Sequence, residues 1–258
     1  MKVNEEVVNK MIQTIPPILG DSPFGLLMDD DGPHDPICFD EIQEAILDID
    51  GNAEIKYGMS KLVIIAPSLK DIVIKIPFEG VYDFHYDDVY YQKKKSEHTY
   101  YDERGEWDFH KFNSVKSKDK KNKTDYCAVE VEKYQDLFTI NLDIFVAETY
   151  LYDVMSNGIK VYIQEKAFSS EDDPEWSTRR ASANSGATAR KWIDEESIPL
   201  ESNWIGLCID KYGEERTKEF LDYCNYKDPT LISDTHCGNI GYRMDGSPLI
   251  IDYSGFWD

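Results

Sequence analysis

The chain is poor in bases, has no paired cysteines and contains no long apolar run. Its 28 Lys and Arg stand against 50 Asp and Glu, a formal net charge of −22 over 258 residues. A phosphate backbone is held by clustered cations, so this balance argues against a general nucleic-acid binder. An acidic nucleic-acid mimic is the lesser alternative to a surface charge that keeps the protein dissolved. No stretch approaches the ~18 consecutive apolar residues of a membrane span. The N-terminal MKVNEEVVNKMIQTIPPILG carries acids where a signal peptide has a basic start. Cys38, Cys127, Cys208, Cys224 and Cys237 are odd in number and form no C-x-x-C pair, which suits free thiols in a reducing compartment. The expectation is a cytoplasmic protein with no membrane partner. There is no G-x-S-x-G elbow and no P-loop, and His85, His98 and His110 lie too far apart for a recognisable zinc pattern.

What is present suffices for a folded core: 41% of residues are hydrophobic and 13% aromatic, and the length allows one large domain or two lobes. Val7, Val8, Met11, Ile12 and Ile15 recur at helical spacing, as do Ile42, Ala45, Ile46 and Ile49 ahead of Gly51. Two N-terminal helices are therefore predicted, with the Pro- and Gly-broken run 16–36 between them read as loop. The acidic strings at 29–32 and 48–52 read as turns. A calcium loop starting at Asp48 would need Gly and Glu where Ala53 and Met59 stand. From Ala53 the pattern changes to short β-rich runs, AEIKYG, KLVIIAP and DIVIKIPF. Lys75 lies inside the third, and such a lysine ordinarily faces an edge with its head in water.

Residues 81–123 stand apart, with ten bases, nine acids and ten aromatics that include Tyr82, Tyr90, Tyr91, Tyr100, Tyr101 and Trp107. They read as an insertion with some β structure and a mobile Lys-rich end. TDYCAVEVEKYQDLF then reads as a helix whose inner face holds Cys127, Val131, Tyr134 and Phe138. At about 100° per residue Glu130 lies near that stripe and Glu132 opposite, so only Glu130 could reach inward. A hairpin follows from 143 to 168, turning at Asn157 and Gly158. Residues 167–203 read as a long polar connection with a short helix near 187–195. RRAS, at 179–182, looks like a phosphorylation string but is better read as a solvated loop. EERTKEFLDYC is a further helix, and TLISD, NIGYR and PLIIDY are strand fragments.

In the last of these segments Asp234 precedes Asn239 by five positions, and Asp252 follows with Gly255 three further on. Protein kinases carry an Asp and an Asn at that same interval, followed by D-F-G. Over residues 53–258 the chain resembles the protein-kinase-like superfamily. VIKI resembles the strand bearing the phosphate-binding lysine, Lys75, and Glu130 resembles its helical ion-pair partner. DTHCGN resembles the catalytic loop, DYSG the D-F-G turn, and IQEKAF the hinge that holds adenine through backbone groups, here Gln164, Glu165, Lys166 and Ala167. The resemblance implies an α+β, two-lobed fold: a helical extension over 1–52, an antiparallel-sheet N-lobe over 53–166 interrupted by 81–123, and a reduced helical C-lobe over 167–258.

The cofactors implied are ATP and Mg²⁺. Phosphoryl transfer is mainly positioning and charge neutralisation. Lys75 would hold the α- and β-phosphates with Glu130 orienting it, Asn239 and Asp252 would ligate magnesium, and Asp234 would take the acceptor's proton. Several features depart from the family. Gly58 stands alone where a G-x-G-x-x-G loop is expected, Ile232 and Ser233 replace His and Arg before Asp234, and His236 is nearer the small-molecule phosphotransferases. His236 has two readings, a nucleotide contact or a loop-stabilising side chain. The sequence stops six residues after Asp252, so the expectation is a missing peptide platform, replaced by the N-terminal helices, the insertion or a second subunit. The activity expected is transfer of the γ-phosphoryl to a small-molecule or protein hydroxyl. Two alternatives stand beside it, a pseudokinase serving as an acidic binding module and an AMP transferase on the same fold.

Overall fold

The protein is seen here as a computed structural model that describes residues 1–29, 32–83, 124–171, 183–196, 198 and 200–255. Among these are six α-helices and three sheets with mainly antiparallel pairing, an α+β architecture. The chain divides into two compact units, one of Met1–Cys127 and Leu151–Ile163, the other of Ala128–Tyr150 and Gln164–Asp258. Most of the 81–123 insertion, RRAS and His85, His98 and His110 lie outside the described residues.

In the first unit, α1 (Glu5–Leu19) buries Val8, Met11, Ile12, Ile15 and Leu19, and α2 (Phe39–Ile49) packs against it through Ile42 and Ile46. The periodic stripe predicted both. The segment 16–36, however, is not a loop throughout. The first helix runs through Pro16 and Pro17 to Leu19, because its buried stripe outweighs the backbone bonds that proline removes. Two strands follow, β1 (Gly25–Asp29) and β2 (Gly32–Pro36), an antiparallel pair. β1 also pairs in parallel with β6 (Gly80–Asp83), more than fifty residues on. Such a partner leaves no local trace in the sequence.

A second sheet has the order β3-β4-β5-β8-β7, formed by β3 (Glu54–Tyr57), β4 (Lys61–Ile65), β5 (Ile72–Pro77), β8 (Lys160–Glu165) and β7 (Thr149–Val154). β5 is buried along its whole length. The hairpin turn before β8 is built as its residues require: Gly158 has φ 87° and Asn157 Oδ1 accepts the Ile159 N–H. The hairpin starts later than predicted, since 143–145 form a single 3₁₀ turn. All five cysteines are free, and only Cys237 is exposed.

The second unit holds most of α3 (Tyr126–Thr139), then β9 (Phe168–Ser169), α4 (Gly186–Glu196), α5 (Ser202–Tyr212), α6 (Glu214–Tyr226), β10 (Ile240–Tyr242) and β11 (Pro248–Ile250). Its core gathers Phe145, Trp204, Phe220, Leu249, Ile250 and Tyr253, with the Phe145 and Phe220 rings stacked at 4.4 Å. Residues 202–212, only the first two of which fall in the expected polar connection, are helical, with Trp204, Ile205, Cys208 and Ile209 buried. Two expectations are corrected. TLISD is no strand: Pro229 opens a 3₁₀ turn that buries Leu231 and Ile232. In α3 the buried face is Tyr126, Cys127, Glu130, Lys133 and Leu137, so Phe138 points outward at 61% exposure. No helix among the described residues is long and apolar enough to cross a membrane.

Candidate functional site

Strand pairing is what joins the separated parts of the C-terminal tail. β10 and β11 pair Ile240 with Ile250, Gly241 with Leu249 and Tyr242 with Pro248. One residue beyond this register, the Asn239 carbonyl accepts the N–H groups of Ile251 (2.7 Å) and Asp252 (3.3 Å). The Asn239 side chain reaches the other way, its Nδ2 donating to the Asp234 carbonyl (2.7 Å) and to Asp234 Oδ2 (3.3 Å). Asp234, Asn239 and Asp252 are thereby held together, and all three are half-buried.

The loop between Asp234 and Asn239 closes on itself. The His236 N–H donates to the Asp234 carbonyl, the Asn239 N–H to the His236 carbonyl, and the Gly238 N–H to His236 Nδ1 at 3.1 Å. Of the two readings of His236, the loop-stabilising one therefore has a bond to carry it. At Gly238 a Cβ would lie 2.9 Å from His236 Cε1 and 3.0 Å from Glu171 Oε2, so a larger residue there would displace those two side chains. Gly255 is needed for conformation. Its φ is 69°, and a Cβ would lie 2.5 Å from the Thr230 carbonyl. Between these glycines, Asp252 Oδ1 accepts from Ser254 Oγ (2.9 Å) and Ser254 N–H (3.4 Å), shaping the D-Y-S-G turn.

Beneath the turn lies a buried polar network that sequence reading found only in part. Glu130 is 0% exposed, as its place on α3 predicted. Gln164, also 0% exposed, turns its side chain inward, and its Nε2 donates to Thr149 Oγ1 (2.8 Å), the Ile251 carbonyl (2.9 Å) and Glu130 Oε2 (3.4 Å). Its Oε1 is buried without a hydrogen-bond partner. Tyr253 donates its hydroxyl to the Ala147 carbonyl at 2.7 Å, with Thr149 Oγ1 3.0 Å away. Burial, then the Glu130 carboxylate, pushes that hydroxyl well above the usual tyrosine range.

Lys133 was not anticipated at all. It is 9% exposed, and its Nζ donates to Thr230 Oγ1 (2.7 Å), the Tyr253 carbonyl (3.0 Å) and the Ser254 carbonyl (3.3 Å), with Asp228 Oδ2 at 3.7 Å. Burial lowers its pKa, and Asp228 opposes that shift. Sequence reading passed over it because a charge counts against burial, although its spacing from Glu130 puts both on one helix face.

The remaining predicted residues are placed as follows. Glu165 spends its carboxylate on Arg243, whose Nε donates at 2.9 Å. Arg243 also donates to the Ile144 carbonyl (2.8 Å), the Val146 carbonyl (3.0 Å) and the Tyr212 hydroxyl (3.2 Å). Lys166 and Ala167 link β8 to β9 outside both strands, with Ala167 against the core. In the first unit, Lys75 sits in β5 opposite Val63 and is only 3% exposed, which corrects the expectation that its head lies in water. Gly58 lies between β3 and β4, where a Cβ would meet nothing within 4 Å.

Among the described residues no group of three or more His, Cys, Asp or Glu is gathered as a metal cluster. The tail nevertheless suits a hard divalent cation completed by a ligand. Asn239 turns its Nδ2 to Asp234, leaving Oδ1 as its outward oxygen, and Asp252 adds a carboxylate. Magnesium is commonly held by one or two protein carboxylates together with substrate phosphates. Compared with known proteins, the chain matches no protein-family model and no curated sequence.

Proposed function

We propose that this chain is an ATP- and magnesium-dependent phosphotransferase with a two-lobed, protein-kinase-like fold, moving the γ-phosphoryl to a hydroxyl of a small molecule or protein. The observation that carries the reading is the Asp234–Asn239–Asp252 assembly, locked by the Asn239 carbonyl and amide. On this reading Asp234 accepts the acceptor's hydroxyl proton as the acceptor oxygen bonds to the γ-phosphorus and the bridging bond to ADP breaks. Asn239 and Asp252 would hold magnesium, which when bound neutralises charge on the β- and γ-phosphates. The family resemblance assigns phosphate neutralisation to Lys75 and the role of its acidic partner to Glu130.

A second reading, a binding module without turnover, draws on one observation. At Gly58 the backbone has no need of glycine, so nothing there marks a phosphate-clamping loop. Melting with ATP, with and without magnesium, separates the two. A ligand at 100 times its Kd adds about 2.7 kcal/mol, and we expect a magnesium-dependent rise that Asp252→Ala abolishes. Asp234→Asn should keep the rise and lose transfer by about 10²–10⁴-fold, the usual contribution of a general base. No rise in the native chain would sink the phosphotransferase reading. An acceptor mass gain of AMP in place of phosphate would redirect it to nucleotidyl transfer.

A further inference from the structure

Lys133 belongs to none of the roles above, yet from α3 it reaches two backbone carbonyls of the tail and the Thr230 hydroxyl. A lysine ammonium has three donors and no acceptor, and here each donor has its own oxygen: Thr230 Oγ1, Tyr253 O and Ser254 O. Two of these belong to the residues directly after Asp252. The third links the clamp to the 3₁₀ turn at 229–232, where Thr230 Oγ1 in turn donates to Asp228 and the Thr230 carbonyl faces Gly255. One side chain of α3 therefore ties together the helix that carries Glu130, the turn that carries Asp252 and the segment that leads into Asp234. Glu130 lies three residues earlier on the same helix, so both project toward the tail from one face.

We propose that Lys133 is a positioning residue that fixes the Asp252 turn for magnesium–nucleotide binding, by holding the Tyr253 and Ser254 carbonyls. The claim rests on the phosphotransferase reading for its ligand, but the clamp itself concerns the unliganded chain. Without those two bonds the Tyr253 and Ser254 carbonyls lose their link to α3, and the backbone just after Asp252 is held less firmly. Groups that orient metal ligands from behind typically affect metal affinity by about 10–100-fold.

The test uses the full chain and two readouts. Lys133→Met preserves length and removes all three donors, and Thr230→Val removes the nearest acceptor while keeping Lys133. Hydrogen–deuterium exchange of the Ile251, Asp252 and Ser254 amides in the absence of ligand should quicken about tenfold in Lys133→Met and less in Thr230→Val. In ATP melts, the magnesium concentration giving half the stabilisation should rise about tenfold in Lys133→Met, with Lys133→Arg recovering part of it. A purely structural lysine would lower the melting temperature and leave that magnesium midpoint where it was, which overturns the positioning role. Unchanged exchange at residues 251–254 in folded Lys133→Met or Thr230→Val also overturns it. Quickened exchange in a chain whose native form ignores ATP and magnesium upholds the clamp and retires the phosphotransferase reading instead.

Discussion

Arg243→Met removes the guanidinium that joins Glu165 to the 144–146 turn. Arg243 and Glu165 side chains are 21% and 22% exposed, so water reaches the pair only at its edge. The guanidinium serves one carboxylate, two carbonyls and one phenol. Burial acts against its charge, but the Glu165 bond and field outweigh that and raise its pKa. Breaking a fully buried pair costs about 3–5 kcal/mol because the other charge is stranded. The residual exposure trims this, and the new methionine covers part of the surface, so the expected loss is about 3 kcal/mol. For a unit of this size that is a fall of about 10 °C in Tm. Urea titration of Arg243→Met, Glu165→Gln and the double variant gives the coupling directly, expected at about 1.5–2 kcal/mol. A loss for Arg243→Met within the ~0.5 kcal/mol of ordinary surface changes would refute the reasoning, as would strict additivity.

Gly241→Ala should be far more damaging than Gly58→Ala. A Cβ at 241 would lie 1.9 Å from the Phe168 carbonyl and must push β9 off β10, whereas at 58 it meets open space. Thermal melts should show a loss of about 3 kcal/mol for the first and less than ~0.5 for the second, and equal losses would contradict the close approach. Tyr253 supplies a pH prediction. Its folded value lies above the ordinary 10.0 because it is buried beside Glu130. The native state thus keeps a proton that the unfolded state releases, and stability is intact below pH 10 and falls above it by about 1.4 kcal/mol per pH unit. Urea midpoints followed through that range should show the slope shrinking by that amount in Tyr253→Phe, and an unchanged slope would count against the buried hydroxyl.

How much could be read from the sequence depended on how local the signal was. α2, β4 and β5 announce themselves by spacing alone, since their buried positions repeat within a few residues. β1 did not, because its parallel partner, Gly80–Asp83, lies more than fifty residues on. α5 carried a readable pattern at 204, 205, 208 and 209, just past the polar connection, that the reading left unassigned. The face of α3 was set too far toward Phe138 because Glu130 and Lys133, being charged, count against burial in any hydropathy pattern. At the site, the Asp234–Asn239 interval and the Asp252 turn were legible as residue types at fixed separations. The inward turn of Gln164, the Tyr253 hydroxyl bond and the Lys133 clamp were not, since each joins residues from 87 to 121 positions apart.

Those long-range bonds have one thing in common. Glu130, Lys133, Gln164 and Thr149 are each at most 9% exposed, and Gln164 leaves one buried oxygen unsatisfied. Apolar groups of the same shape commonly serve stability as well or better than buried ions, so stability alone gives no reason for this polarity. Its geometry supplies one. Gln164 fixes the Ile251 carbonyl, Lys133 the Tyr253 and Ser254 carbonyls, and Asn239 the Ile251 and Asp252 N–H groups. The backbone on both sides of Asp252 is pinned from beneath while Asp252 itself stays half-buried at the surface. Buried charge spent in this way orients the Asp252 carboxylate, which is the requirement that the proposed magnesium–nucleotide site would place on it.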